Sequence, residues 1–351
     1  MVNWPLNYIP AAMNRTVPVI VIPLVITLSI YLLMEQDNHT STTAITSGPC
    51  LSPPLNGDHE MVWIEGGSFS MGSDSFYPEE SPPVETVVAG FLIDRHEVTN
   101  RQFGRFVAAT GYITVAERQP LPEDLPQFPP DRLTPGSVVF IDPMAAIPGG
   151  DITQWWQFIE GADWRHPEGP ASSITGRDDY PVVHLAYEDA VAYAQWLGHQ
   201  LPTEAQWEYA ALAGAKSTPL HAGEPANTWQ GIFPLRNTKQ DGYTATAPVG
   251  CYPPNGYGLY DMIGNVWEWV SDWYYPGHRF SAAGYEQGYD PRQPGVPVKV
   301  IKGGSYLCAQ NYCMRYRPSA RQPQEATLGA AHIGFRTVVN IEPAAESEQQ
   351  R

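Results

Sequence analysis

Proline and glycine punctuate this chain so densely that long regular elements have little room. The sequence holds 35 prolines and 31 glycines, and both residue types interrupt helices and strand pairing. Short strands, a few short helices and many turns are therefore expected. The apolar fraction of 43%, with 11 Trp and 19 Tyr, is enough to bury a sizeable core inside such an irregular backbone. A length of 351 residues allows one large domain or two ordinary ones. The formal charge of −17 argues against a nucleic-acid binder, which would need a basic face. Four cysteines are too few for a disulfide-stapled scaffold.

The N-terminal part reads separately. Residues 1–16 form a short cytoplasmic segment. Residues 17–34 carry no charge and are almost wholly apolar, just long enough to cross a bilayer core. Arg15 before the run, with Glu35 and Asp37 after it, points to a signal anchor with the rest of the chain exported. A cleaved signal peptide is the rival, and would leave the protein secreted. Residues 35–58 read as a flexible stalk, and Asn14 and Asn38 each match the glycosylation pattern.

The folded part spans 59–341, with a polar tail at 342–351. Apolar runs at 61–64 and 91–94 predict strands, and GGSFSMGS at 66–73 a strand and turn. Thr99 with Gln102, and Thr203 with Gln206, match capping boxes that open helices. The first ends at Gly111 and the second near Gly214. A third helix is predicted over 187–197, and strands over 181–185, 299–301 and 334–340. Residues 120–150 read as irregular, and Trp155, Trp156 and Trp164 as packed aromatics in loops.

Cys308 and Cys313 stand in KGGSYLCAQNYCMRYR at 302–317, and no other stretch brings two cysteines so close together. Export favours a disulfide between them. Zinc would need two further ligands with suitable spacing, and the nine histidines show no ligand cluster. Two thiolates by themselves suit Cu(I). A Cys50–Cys251 bridge cannot be read from the sequence.

The segment 302–321, followed by GFR at 334–336, closely resembles the active-site segment of the formylglycine-generating enzyme family. The resemblance runs over about 61–339. It includes FLIDRHEVTNRQF at 91–103, LPTEAQWEYA at 201–210 and PPNGYGLYDMIGNVWEW at 253–269. It implies an α+β fold of low regular secondary structure, related to C-type lectins. It also implies an oxidase that uses O2 to convert a cysteine, within Cys-x-Pro-x-Arg of an unfolded or nascent sulfatase, to Cα-formylglycine. By the same resemblance Cys308 and Cys313 are Cu(I) ligands, and Ser305 and Trp267 line the active site. Two structural Ca2+ sites are implied. One has the Asp261 and Glu268 side chains with the Gly264 and Val266 carbonyls. The other has the Asn227 and Asp241 side chains with the Thr228 and Tyr243 carbonyls. Positions that form two disulfides in vertebrate-type members are Ala194, Ala211, Pro318 and Thr337 here, so both bridges are absent together. Ala186 replaces a helix-capping Ser, a loss of about 1 kcal/mol. The alternative reading is a non-catalytic binding module of the same fold with a structural Cys308–Cys313 disulfide.

Overall fold

An antiparallel sheet of three strands and a mixed sheet of four frame the described residues, and each is short because turns cut its strands. Strand β1 (Met61–Ile64) turns into β2 (Gly67–Met71), which pairs with β3 (Val84–Val88) as a hairpin. The chain returns in β4 (Phe91–Asp94), which lies between β1 and the closing strand. The computed structural model describes residues 50–51, 58–121, 133–141, 155–215 and 225–341. All of these belong to one compact unit. The N-terminal segment 1–16, the apolar run 17–34, nearly all of the stalk, Asn14, Asn38 and the tail 342–351 lie outside the described residues. Among the described residues, no helix is long and apolar enough to cross a membrane.

Helix α1 (Asn100–Thr110) starts at Thr99, whose side chain accepts from the Gln102 amide, and ends at Gly111 in the left-handed conformation. Its apolar stripe, Phe103 and Phe106, packs on Tyr193 of α2 (Tyr187–Leu197). Ala186 gives α2 no side-chain cap. Instead Asp189 reaches back to accept from the Ala186 amide and also takes the Val115 amide and the Tyr112 hydroxyl. Helix α3 (Glu204–Leu212) is capped by Thr203 and ends one residue before Gly214, at Ala213 in the left-handed conformation.

Three expectations need correction. Residues 136–140, expected to be irregular, form β5 (Gly136–Phe140), paired with β6 (Trp156–Glu160), so Trp156 lies in a strand and not a loop. Their pairing with each other, with a further bridge from Val138 to Ala330, fixes them despite the flanking prolines. Residues 181–185 are not a strand: they make a single bridge, Thr99 to Pro181, and His184 turns out with a positive φ. The closing segment divides between sheets. After a small hairpin of β7 (Gly231–Ile232) and β8 (Arg236–Asn237), the second sheet is built from β9 (Trp267–Trp273), β10 (Val298–Lys302) and β11 (Arg321–Glu325). These stand in the order β11-β10-β9-β12. Short β12 (Ile333–Gly334) runs parallel to β9, and β13 (Val338–Asn340) joins β4 in the first sheet. Arg336, between them, is fully buried and stitches the two sheets together. It donates to Glu268 at 2.7 Å from both Nε and Nη2, and to the carbonyls of Asp94 and Tyr260. Cys50 and Cys251 are joined in a disulfide across 201 residues.

Loss of Arg336 leaves Glu268 charged and buried. Arg336→Met should therefore cost about 3–5 kcal/mol in denaturant unfolding; a loss within experimental error would contradict the role of the pair. Burial raises Asp189 from 3.8 to about 7. The folded state thus favours the protonated acid, and its contribution is full below about pH 4 and declines as pH rises through about 7. Relative to Asp189→Asn, the parent should lose up to about 1.4 kcal/mol of stability per pH unit inside that window. A pH-independent difference in unfolding midpoint would contradict this.

Candidate active site

The cysteine pair is made by a loop that folds back on its own start. Strand β10 ends at Lys302, and Gly303 and Gly304 follow with φ of +91° and +77°. A Cβ on Gly304 would meet the Arg315 carbonyl oxygen at 2.9 Å, so only glycine lets the two limbs of the loop approach. Within the loop the Cys308 amide donates to the Ser305 carbonyl at 2.8 Å, and the Cys313 amide to the Ala309 carbonyl at 2.9 Å. The Trp229 amide holds the Cys308 carbonyl from outside the loop. The result is two buried, free thiols with Sγ atoms 3.0 Å apart, too far for a disulfide bond. They pack in one apolar cluster with Trp267, Trp269, Ile301 and Phe335. Trp267, the first residue of β9, thus lies in the same cluster as both cysteines. Ser305 is buried, and its hydroxyl accepts from the Leu307 amide at 3.3 Å.

The two thiols are electrostatically unequal. Burial and its neighbour push the Cys308 thiol up. Cys313 is pulled down to about 6, first by the hydrogen bond from Cys308 and then, against burial, by the Arg315 guanidinium. A thiolate at Cys313 accepting from a thiol at Cys308 is the arrangement this favours. Arg315 is held by Glu79 and lies 3.8 Å from the centre of the Tyr77 ring. Arg317 binds Glu80 through two contacts of 2.6 Å and covers Phe76. Residues 76–80 therefore clamp the return limb of the loop. Sequence reading missed them, although the paired acids Glu79 and Glu80 beside two aromatics, against arginines at 315 and 317, were a usable signal.

On the open side, half-exposed Tyr312 stacks on Phe233 with ring centres 4.3 Å apart, and Trp155 meets both rings edge-on. A cavity of about 310 Å³ adjoins the loop at Tyr306 and is lined also by Trp164, Trp229, Glu168, Arg177 and Lys239.

A carboxylate cluster lies on the other flank of β9. Glu268 takes the Trp207 indole N–H at 2.8 Å as well as Arg336. Asp261 accepts from the Gly250 amide at 2.6 Å. Glu97 takes Asn265 on one oxygen, while its Oε2 is buried with no hydrogen-bond partner. Burial, together with the neighbouring carboxylates, raises Glu97 well above the usual range and Asp261 to about 6. With Glu97 holding its proton, Asp261 and Glu268 against one guanidinium leave a single negative charge on a set of hard oxygen donors, the donor type that a divalent hard cation takes. Glu97 belongs to this cluster by position, and the sequence reading did not select it.

The second implied set is also brought together, but differently oriented. Asp241 accepts from the amides of Thr228 and Tyr243 and from the Gln230 side chain. The Thr228 carbonyl takes the same Gln230 amide group at 2.6 Å. Asn227 donates to Asn265 and to the Ala245 carbonyl. Gly264 joins the two sets, because a Cβ there would collide with the Asn227 carbonyl oxygen.

With two thiols free and two bridged, alkylation of the denatured, unreduced protein should add two labels and full reduction four, read by intact mass. Four labels without reductant would refute the Cys50–Cys251 bridge.

Residues 52–341 match the model of the Sulfatase-modifying factor enzyme 1-like domain. The chain is 48% identical over 302 residues to the formylglycine-generating enzyme of Mycobacterium tuberculosis, covering 80% of this chain and 98% of that protein. It is 45% identical to the formylglycine-generating enzyme of Thermomonospora curvata, covering 79% and 92%. It is also 34% identical to the inactive Cα-formylglycine-generating enzyme 2 of Mus musculus, covering 80% and 85%. Among solved structures, PvdO from Pseudomonas aeruginosa superposes with a TM-score of 0.53 at 24% identity, covering 84% of this chain and 99% of that one, a likeness of fold. On this match of sequence and architecture, the chain belongs to the sulfatase-modifying factor family of formylglycine-generating enzymes.

Proposed function

We propose that this protein is a formylglycine-generating oxidase. It converts a cysteine within Cys-x-Pro-x-Arg of an unfolded sulfatase to Cα-formylglycine, with Cu(I) held by Cys308 and Cys313. The observation that carries the reading is the pair of free, buried thiols 3.0 Å apart in an apolar cluster. Soft sulfur donors of this kind suit Cu(I). Copper would supply one-electron chemistry with O2 that no side chain offers.

The remaining chemistry falls to the chain. Arg315 favours the thiolate form at Cys313. The turn anchored at Ser305 and the amide of Trp229 hold Cys308 in place. The aromatic face of Tyr312, Phe233 and Trp155 offers an apolar seat for an extended client beside the thiols. Trp267 and its neighbours exclude water from the inner side of the pair. In the reaction the client Cβ gives up two electrons, its sulfur leaves as hydrogen sulfide, and the aldehyde oxygen replaces it. Reducing O2 fully to water takes two electrons more, which an external thiol pair supplies.

Structural Ca2+ at Asp261 and Glu268, with the Gly264 and Val266 carbonyls, is part of the proposal. Its support is the gathering of buried carboxylate oxygens from Glu97, Asp261 and Glu268 and the net negative charge they keep against Arg336. The set Asn227, Asp241, Thr228 and Tyr243 is proposed as the second site, resting on the family resemblance. An anchor at 17–34, with the folded part on the extracytoplasmic side, accords with the Cys50–Cys251 disulfide, since such bonds persist in oxidising compartments.

Copper-loaded protein in air with an added dithiol should convert a Cys-x-Pro-x-Arg peptide with a mass loss of about 18 Da, one SH2 exchanged for O at the redox centre. Cys308→Ser and Cys313→Ser should each abolish conversion. No mass loss at full copper occupancy would end the proposal. Ca2+ at 100 times its dissociation constant should stabilise the fold by about 2.7 kcal/mol. The stabilisation should shrink as pH falls below about 6, where Asp261 holds its proton. A melting temperature indifferent to chelator at neutral pH would remove the calcium assignment.

A further inference from the structure

Three residues far apart in sequence meet at one end of the strands of the first sheet, away from the cysteine loop. His59 precedes β1, Asp94 ends β4, and His199 follows α2. Each offers a ligand atom, and these atoms all lie within 4.8 Å of one another. The sequence shows no histidine cluster here, because 35 residues separate His59 from Asp94 and a further hundred or so intervene before His199.

The protons can be assigned from the hydrogen bonds. Asp94 Oδ2 accepts from both the amide and the hydroxyl of Thr337, at 2.8 and 2.6 Å. The Thr337 hydroxyl has spent its one proton there, so at its 2.8 Å contact with His199 Nδ1 it accepts. His199 therefore carries its proton on Nδ1, and Nε2 presents a lone pair. His59 Nδ1 lies 2.6 Å from Asp94 Oδ1 and shares a proton with it, while His59 Nε2 meets the buried Tyr193 hydroxyl at 2.8 Å. Every candidate ligand thus has its far atom tied down: His59 by Tyr193, Asp94 by Thr337, and His199 by Thr337. Outer partners of this kind orient the ligands of metal sites.

We propose that His59, Asp94 and His199 bind a divalent transition-metal ion of the zinc class through the ligand atoms that lie together here. The ion takes the place of the proton shared by His59 and Asp94, and that proton is released to solvent. Two imidazoles and one carboxylate are a borderline donor set, distinct from the soft thiol pair and from the hard carboxylate cluster. Tetrahedral coordination would place neighbouring ligand atoms about 3.3 Å apart, given bonds of about 2.0–2.1 Å. The ligand atoms now lie within 4.8 Å of one another, and His59 Nδ1 and Asp94 Oδ1 would part from 2.6 Å to admit the ion. Both histidines are partly exposed, leaving the fourth position to water. Bound there, the ion fastens the residues just before β1 to the centre of the sheet and to the α2–α3 connection.

The test is Co2+ titration of the full-length protein followed by absorption. Wild type should take up one equivalent with visible bands and without the near-ultraviolet thiolate band that marks cysteine binding. The same equivalent should persist in the Cys308→Ser/Cys313→Ser variant. His199→Ala should weaken it more than about 100-fold, and Thr337→Val by about 10–100-fold, the usual effect of losing an outer partner. His199 is partly exposed, and circular dichroism verifies that its variant is folded. Zn2+ should raise the melting temperature of the Cys308→Ser/Cys313→Ser protein and leave it unchanged once His199→Ala is added. The proposal is overturned if no thiolate-free equivalent binds, or if His199→Ala and His59→Gln both keep it at undiminished affinity.

Discussion

The buried ion pair between Arg336 and Glu268 is the interaction on which the rest of the site depends. Both groups are removed from water, a cost that only near-ideal geometry offsets. Here the guanidinium fork meets the carboxylate at two points, the Trp207 indole fills a further lone pair, and the Asp94 and Tyr260 carbonyls take two more guanidinium N–H groups. One side chain therefore fixes the first sheet, the 260-loop and the start of β9 relative to one another. Trp267 precedes Glu268 by one residue and packs with the thiols, while Glu97 and Asp261 face the same charge pair from the opposite flank. The thiol pair and the carboxylate cluster share this support, so a change at Arg336 is felt by both.

A second layer of buried charge holds the cysteine loop from its two ends. Lys302, where the loop leaves β10, lies 2.9 Å from Glu208 on α3. Arg321, where the chain enters β11, binds Glu204 on the same helix. Burial alone would raise Glu204, but Arg321 and Lys302 hold it down at about 2. Arg315 and Arg317 bind Glu79 and Glu80. A loop with almost no regular structure is thereby made rigid by ion pairs and aromatic cover instead of by a backbone ladder. The arrangement leaves one face, at Tyr312 and Met314, open to solvent beside otherwise buried thiols.

Local signals were legible wherever the chemistry was local. The capping boxes at Thr99 and Thr203, the glycine stop after α1, and the apolar runs of β1, β4 and β10 all form as their residues dictate. The spacing of Cys308 and Cys313 also announced a paired site. Reading failed where pairing with a distant segment decides the outcome. Strand β5 lies in a proline-rich stretch and exists because β6 supplies its hydrogen bonds. Strand β11 contains Pro323, which is tolerated at the sheet edge. Residues 181–185 look like a strand, yet His184 adopts a positive φ and breaks the extended run.

The sequence by itself determined the density of turns, the short elements, the family and the identity of the two thiols, because each depends on residues close together or on a motif read in order. Tertiary structure decided the partners. It set Glu79 and Glu80 against the arginines of the cysteine loop and added Glu97 to Asp261 and Glu268. It also closed Cys50 on Cys251 and gathered His59, Asp94 and His199 at one end of the first sheet's strands. Such pairings join residues tens to hundreds of positions apart, and a buried charge or polar group is satisfied only by whatever the completed fold brings within about 3 Å of it.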